Sequence, residues 1–222
     1  LKDIMGLQVS AVTADLYKNG RDDLSLFYFP EGANYAVAYT KSSIVSESIN
    51  WNRKNTKNNI KAIVINTKNA NTFTGEQGMN SLDDIAKVLV DNLKKLENEN
   101  DYEKTKLKEI LFASTGVIGE QFPVEKIKKN IPNLISNLRI NQNKLIWLKV
   151  ASAIMTTDTK PKVAYSEIKL GDKIVRIAGI AKGSGMIAPN LATMFSFIFT
   201  DADISSVVLN KYLAKVLTNT FN

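Results

Sequence analysis

Short apolar blocks, some alternating strictly with polar residues, occupy positions 24–29 (LSLFYF), 35–40 (YAVAYT) and 60–65 (IKAIVI), and turn-rich stretches such as 30–34 separate them. Alternation with period two, in segments rich in aromatic and β-branched residues, predicts three strands. From residue 78 the period changes. Leu82, Ile85, Ala86, Leu89, Val90, Leu93 and Leu96 recur at helical spacing and mark one apolar stripe of a helix over 78–96, with Ser81 as its N-cap and Asp84 three residues on. Residues 106–113 predict another strand and 124–138 a second helix, in which Pro132 lacks a backbone donor and is expected to kink or split the element. A third helix is expected over 144–155. The blocks 162–170 and 173–180 flank Gly171 and Asp172 and predict a hairpin; 194–200 reads as a buried strand. Ile204, Val207, Val208, Tyr212 and Val216 then form the apolar face of a last helix, which needs a surface to cover.

Strands come in clusters with helices between the clusters, not in strict βαβ alternation. The expected class is therefore α/β in the α+β sense, with helices layered on mixed or antiparallel sheets. No repeat, low-complexity tract or clean linker marks a domain boundary. The chain opens on Leu1 and stops at Asn222 directly behind the last apolar stripe, so it reads as a piece of a longer protein.

Composition removes several kinds of chemistry. Among 222 residues there is no cysteine and no histidine. Disulfides, thiolate metal sites and the commonest metal ligand are thereby excluded, and no metal or other cofactor is implied. Lys and Arg exceed Asp and Glu by 29 to 22, a net charge of +7. The lysines are interspersed with acids, as over 91–108, and no aromatic and basic platform accompanies them, so nucleic acid is not an expected partner; attraction of small anions is the simpler use of the charge. No apolar run has the length of a membrane span and the start has no signal pattern, which reads as a soluble, cytoplasmic chain with no membrane partner.

Without histidine or cysteine, a nucleophilic enzyme is left with a hydroxyl, and the glycine-rich run GIAKGSGMIAPNLATM (179–194) offers Thr193. A threonine hydroxyl needs a neighbouring base. Cutting the peptide bond before Thr193 would supply one, since a free α-amine has a pKa of about 7.7–8.0 and is partly neutral near physiological pH. Gly183 and Gly185 tolerate backbone angles other residues resist and could hold a strained peptide there. Three further loops are richer in Thr, Gly and Asn than turns require: NTKNANTFTGEQG (66–78), ASTGVIGEQFP (113–123) and MTTDTKPK (155–162). Each borders an apolar element, at an edge where a site could form.

In that order, and with GRDDLSL at 20–26, these segments resemble the ornithine acetyltransferase family of arginine biosynthesis, also called glutamate N-acetyltransferase. The resemblance runs from about Met5 to the last residue and is strongest over 179–203. It implies a self-processing architecture with an N-terminal threonine nucleophile, cut between Ala192 and Thr193. Residues 1–192 would then be the α-chain region and 193–222 the start of the β-chain region. Thr115 and Gly116 match the family's oxyanion-hole positions, and Thr156 and Lys182 match substrate-binding positions, together with Thr193 itself. For Lys182 there is also a chemical rationale, because an amino-acid substrate brings a carboxylate that a lysine can pair with. The implied reaction moves acetyl from N-acetylornithine to glutamate through an acetyl-threonine, with α and β chains from one precursor assembled as a hetero-tetramer. Whether acetyl-CoA also serves as donor is left open.

The sequence departs from the family at Lys68, Thr72 and Phe73, where relatives commonly have smaller residues. Lys68 is awkward if its position requires a positive φ. Asp158, Asp201 and Asp203 are read as turn and capping residues. An amidase or aminopeptidase with the same nucleophile, and a non-catalytic basic binding protein, are the rival readings.

Overall fold

A computed structural model describes residues 1–56, 59–183 and 194–220. Its first sheet has four strands in the order β1 (Gln8–Val12), β2 (Leu24–Asn34), β3 (Asn59–Asn66) and β4 (Ile110–Ser114). The first three are antiparallel neighbours, and β4 lies parallel to β3. The second is an antiparallel sheet of β5 (Lys162–Leu170), β6 (Lys173–Lys182) and β7 (Phe195–Thr200). This is the layered, mixed arrangement the strand clusters imply.

Both faces of the first sheet are covered, and the strands divide their side chains accordingly. Leu24, Leu26, Tyr28, Ala62, Val64, Ile110 and Phe112 face a core built with α2 (Gly75–Glu99) and α3 (Val124–Ser136). Phe27, Ile63, Ile65 and Leu111 face the opposite way, toward α4 (Lys144–Ala153) and the second sheet. Aromatic rings close that second core: Phe27 lies 4.5 Å from Phe199 and 5.9 Å from Phe197, and Trp147 lies 5.8 Å from Phe199, centroid to centroid. The far face of the second sheet, with Ile168, Leu170 and Ile198, is exposed. So is α5 (Ser206–Thr220), none of whose residues is buried.

Several elements differ from expectation. Residues 35–40 are not a strand. Instead β2 itself continues to Asn34 after an irregularity between Tyr28 and Ala33, and Asn34 there pairs with Asn59 at the end of β3, so residues 35–40 have no partner strand among the described residues. Ser81 is not a cap: α2 begins at Gly75, and the Ser81 hydroxyl donates to Gln77 O within the helix (2.7 Å). Residues 107–109 form a short 3-10 turn before β4, fixed by Lys106 N–H donating to the Glu109 carboxylate (2.7 Å). Pro132 does not split α3. It sits on the exposed side, where water can take the carbonyl that loses its donor.

Two elements are not expected from the hydrophobic pattern. β1 alternates only over the short run 7–11 and is buried along its whole length, Gln8 and Ser10 included. Helix α1 (Glu47–Asn55) buries two polar residues, Ser48 and Asn52, beside a single apolar one, Trp51, because it covers the open edge of β4 as well as entering the core. Asn52 donates to Phe112 O (2.8 Å) and accepts from Phe112 N–H (2.9 Å), as a neighbouring strand would, and Thr56 donates to Ile110 O (2.8 Å). The edge that would otherwise invite pairing is thus satisfied by side chains.

Candidate active site

Thr115 and Gly116 emerge from the end of β4 and cross the NTKNANT loop that leaves β3. Thr115 N–H donates to Asn66 O (3.1 Å), Val117 N–H to Lys68 O and Ala70 N–H to Val117 O (both 2.9 Å). The crossing is close. Gly116 adopts φ +138°, and a Cβ there would fall 2.2 Å from the carbonyl carbon of Lys68 and 2.6 Å from Asn69 N, so no side chain fits. Lys68 itself has φ +73°, with Asn71 at +50° and Phe73 at +60°. The awkward lysine therefore does occupy a left-handed position, held by the hydrogen bonds on either side of it.

Beneath the crossing runs a buried polar relay. Ser114 Oγ donates to Asn66 Oδ1 (2.7 Å), and since a hydroxyl has one proton, Ser48 must donate into Ser114 (2.7 Å). Asn66 Nδ2 in turn donates to Asn69 O (2.9 Å), and the Asn69 side chain clamps Glu120 O, Gln121 O and Asn71 N–H. The hydrophobic pattern gives no hint of this relay. Its only signal in the sequence is the density of asparagine and serine in segments that also make turns.

Lys182 comes from the other sheet, as the last residue of β6. It is 6% exposed, and its Nζ donates to Thr115 Oγ1 (2.7 Å) and Thr156 Oγ1 (3.2 Å), with the Phe195 ring 5.5 Å away. Burial pushes its pKa below that of an ordinary lysine; the Asp158 carboxylate opposes that shift and Lys162 adds to it. The contact has a chemical consequence. An ammonium only donates, so Thr115 Oγ1 must accept, and the hydroxyl proton is aimed elsewhere. Among the described residues neither that proton nor the Gly116 N–H has an acceptor. Two adjacent free donors beside a buried positive charge suit an oxygen that is gaining negative charge.

Thr156 is brought to the cluster by the loop after α4. Arg21 fastens that loop, donating to Ser152 O (2.9 Å) and Met155 O (2.7 Å) while its guanidinium stacks on Tyr17 at 4.6 Å. Asp23 shapes the turn behind Arg21: it is fully buried and accepts from Ala14, Leu16 and Tyr17 N–H (2.6, 2.8 and 3.1 Å). The GRDD motif is thus a brace for the site. Asp201 is a capping residue as expected, accepting from Arg176 N–H (2.7 Å) and the Arg176 guanidinium (3.3 Å). Four of the expected site residues, Thr115, Gly116, Thr156 and Lys182, meet in one place although they come from three segments. Gly185, Ala192 and Thr193 lie outside the described residues.

Helices stacked over a mixed sheet, with a second sheet beneath, form an architecture shared with solved enzymes. The chain superposes on ornithine acetyltransferase of Mycobacterium tuberculosis, solved with ornithine, with a TM-score of 0.70 at 24% identity, covering 87% of this chain and 96% of that one. It also superposes on the L-aminopeptidase D-Ala-esterase/amidase of Ochrobactrum anthropi, a variant of the Ntn hydrolase fold, with a TM-score of 0.53 at 8% identity, over 96% of this chain and 66% of that one. The fold is of the Ntn-hydrolase type. Within that class the chain belongs to the ArgJ family, whose model matches residues 8–222. It is 38% identical over 223 residues to the arginine biosynthesis bifunctional protein ArgJ of Bartonella quintana. That alignment takes in 100% of this chain and 51% of the relative, so the chain spans about half the length of such relatives. No helix among the described residues is long and apolar enough to cross a membrane.

Proposed function

We propose that this chain carries most of the acyl-transfer site of a glutamate N-acetyltransferase, and that it works by a ping-pong route through acetyl-Thr193. The observation that carries the reading is the buried Lys182 ammonium donating to Thr115, which leaves the Thr115 hydroxyl and the Gly116 N–H as adjacent donors unclaimed among the described residues. The hydroxyl of Thr193 first attacks the Ala192 carbonyl, and hydrolysis of the resulting ester frees the Thr193 amine. Residues 1–192 and the chain beginning at 193 then form two subunits of one precursor, assembled as a hetero-tetramer. In the first half-reaction Thr193 Oγ adds to the acetyl carbonyl of N-acetylornithine while its own amine accepts the hydroxyl proton. The C–N bond breaks, ornithine leaves with that proton, and the acetyl ester remains on Thr193. The amine of glutamate then adds to the ester carbonyl, and Thr193 Oγ departs and regains its proton.

Both half-reactions pass through a tetrahedral oxyanion, which Thr115 Oγ–H and Gly116 N–H would receive. The charge on Lys182 acidifies the Thr115 hydroxyl and remains available to the substrate carboxylate, a group common to ornithine and glutamate. The ArgJ relatives and the ornithine complex of the Mycobacterium tuberculosis enzyme support the substrate class. Thr115→Val keeps the shape but removes both the donor and the acceptor of the buried Lys182 ammonium, and is expected to lower kcat about 10²–10³-fold at a stability cost on the order of 1–3 kcal/mol. Acceptor choice separates transferase from amidase. The full-length protein incubated with N-acetylornithine should form N-acetylglutamate when glutamate is added, and acetate release without any N-acetylglutamate would favour the hydrolase.

A further inference from the structure

Asp158 lies between the elements that carry Thr156 and Lys182, and nothing in the reaction above uses it. Its side chain is 1% exposed. Oδ1 accepts from Gly183 N–H (2.7 Å) and from Lys162 Nζ (2.6 Å), and Oδ2 accepts a longer bond from Thr156 N–H (3.4 Å). One carboxylate thus ties together the loop after α4, the first residue of β5 and the residue that follows the end of β6. Gly183 has φ +155°, and it is the last described residue before 184–193, the stretch that leads to Thr193. The turn and capping role expected from sequence is present, but the groups being capped belong to the candidate site.

We propose that Asp158 is a positioning residue that fixes the end of β6 against the Thr156 loop, so that Lys182 and Gly183 are held in register for both self-cleavage and acyl transfer. The inference rests on the acetyltransferase reading. A carboxylate is required for a specific reason. All three partners are donors, and an ionised carboxylate is acceptor-only, whereas an amide would turn its NH₂ toward at least one of them. Burial by itself would raise the Asp158 pKa, yet the hydrogen bonds from Lys162, Gly183 and Thr156 outweigh it and hold the group below the usual carboxylate range, so the anion is the resident form. The anion also acts on Lys182, whose direct hydrogen-bond partners among the described residues are neutral threonine oxygens: Asp158 favours its charged state and Lys162 disfavours it.

The test uses the full-length protein with Asp158→Asn, Asp158→Glu and Lys162→Ala. Self-cleavage is followed by fragment mass, and transfer by kcat and KM across pH. Asp158→Asn should cut itself at least about tenfold more slowly and, once processed, lose on the order of 100-fold in kcat, as expected when a small displacement is introduced beside the reacting groups. With the nearby anion gone, Lys182 should lose its proton at lower pH, so the alkaline limb of the profile should shift downward. Asp158→Glu, which keeps the charge but not the reach, should slow cleavage and leave that limb in place. Lys162→Ala removes the half-exposed partner but leaves Gly183 and Thr156 tied to the carboxylate, and should slow cleavage less than Asp158→Asn does. A folded Asp158→Asn protein that cuts and transfers within about twofold of wild type, with an unmoved alkaline limb, overturns the proposal. If Asp158→Asn does not fold, wild-type cleavage by Asp158→Glu overturns it equally. Failure of the acetyltransferase reading would show in the wild-type protein itself, whereas failure of this inference shows only in the comparison of the variants with a wild type that cuts and transfers.

Discussion

Replacing Thr193 by alanine in the full-length protein is expected to leave one polypeptide where the unaltered protein gives two, and to lower acetyl transfer on the order of 10⁴–10⁶-fold. The reason lies in what this chain lacks. These 222 residues contain no histidine and no cysteine, so this chain itself supplies neither an imidazole to activate a hydroxyl nor a thiolate to replace one. The α-amine that the proposed scission would free is a base of suitable strength on the same residue, at a pKa of about 7.7–8.0. Alanine removes the oxygen to which the proposed route assigns both the scission and the acyl transfer, so one substitution should abolish two measurable events. Thr193→Ser retains the oxygen and should still cut.

Gly116→Ala should be damaging for a different reason. The added Cβ would meet backbone and not a movable side chain, 2.2 Å from Lys68 C and 2.4 Å from Lys68 O, and φ +138° is itself a poor conformation for alanine. A forbidden angle and an unrelieved overlap together are expected to cost roughly 2–6 kcal/mol, readable as a lower urea midpoint. Any relief must push the β4 crossing away from the NTKNANT loop. That movement takes the Gly116 N–H and the Thr115 hydroxyl from their places beside Lys182, so the protein that remains folded should have lost about 10²–10³-fold in kcat. Thr115→Val should reproduce the catalytic loss without moving the crossing, its stability cost being only that of a buried ammonium losing one acceptor.

The contrast between these residues shows what could be read along the chain. Apolar periodicity located α2, α3 and α4, each of which buries an apolar stripe, and the β5–β6 hairpin, which is marked by its turn at Gly171 and buries only the last part of β6. It failed at α1, where Trp51 is the single buried apolar residue and Ser48 and Asn52 are buried because they complete the edge of β4 through hydrogen bonds. It failed over 35–40 for the opposite reason: the alternation is present, but no strand edge is available to pair with it among the described residues. At the candidate site, Thr115, Gly116, Thr156 and Lys182 are singled out by the family resemblance, and only the fold shows that they converge. Asp158 was visible as a capping residue. That it caps Gly183 and Thr156 together could not be seen while residues 158 and 183 stood 25 positions apart.

If Thr193 becomes reactive by acquiring its own amine, intact-mass analysis of the full-length protein, before and after brief exposure to N-acetylornithine without glutamate, will show it most plainly. Two polypeptides are expected, the second beginning at Thr193 and gaining one acetyl group on that residue, which disappears when glutamate is supplied. Turnover of substrate by a homogeneous uncut polypeptide, or an acetyl group found on any other residue, would contradict it.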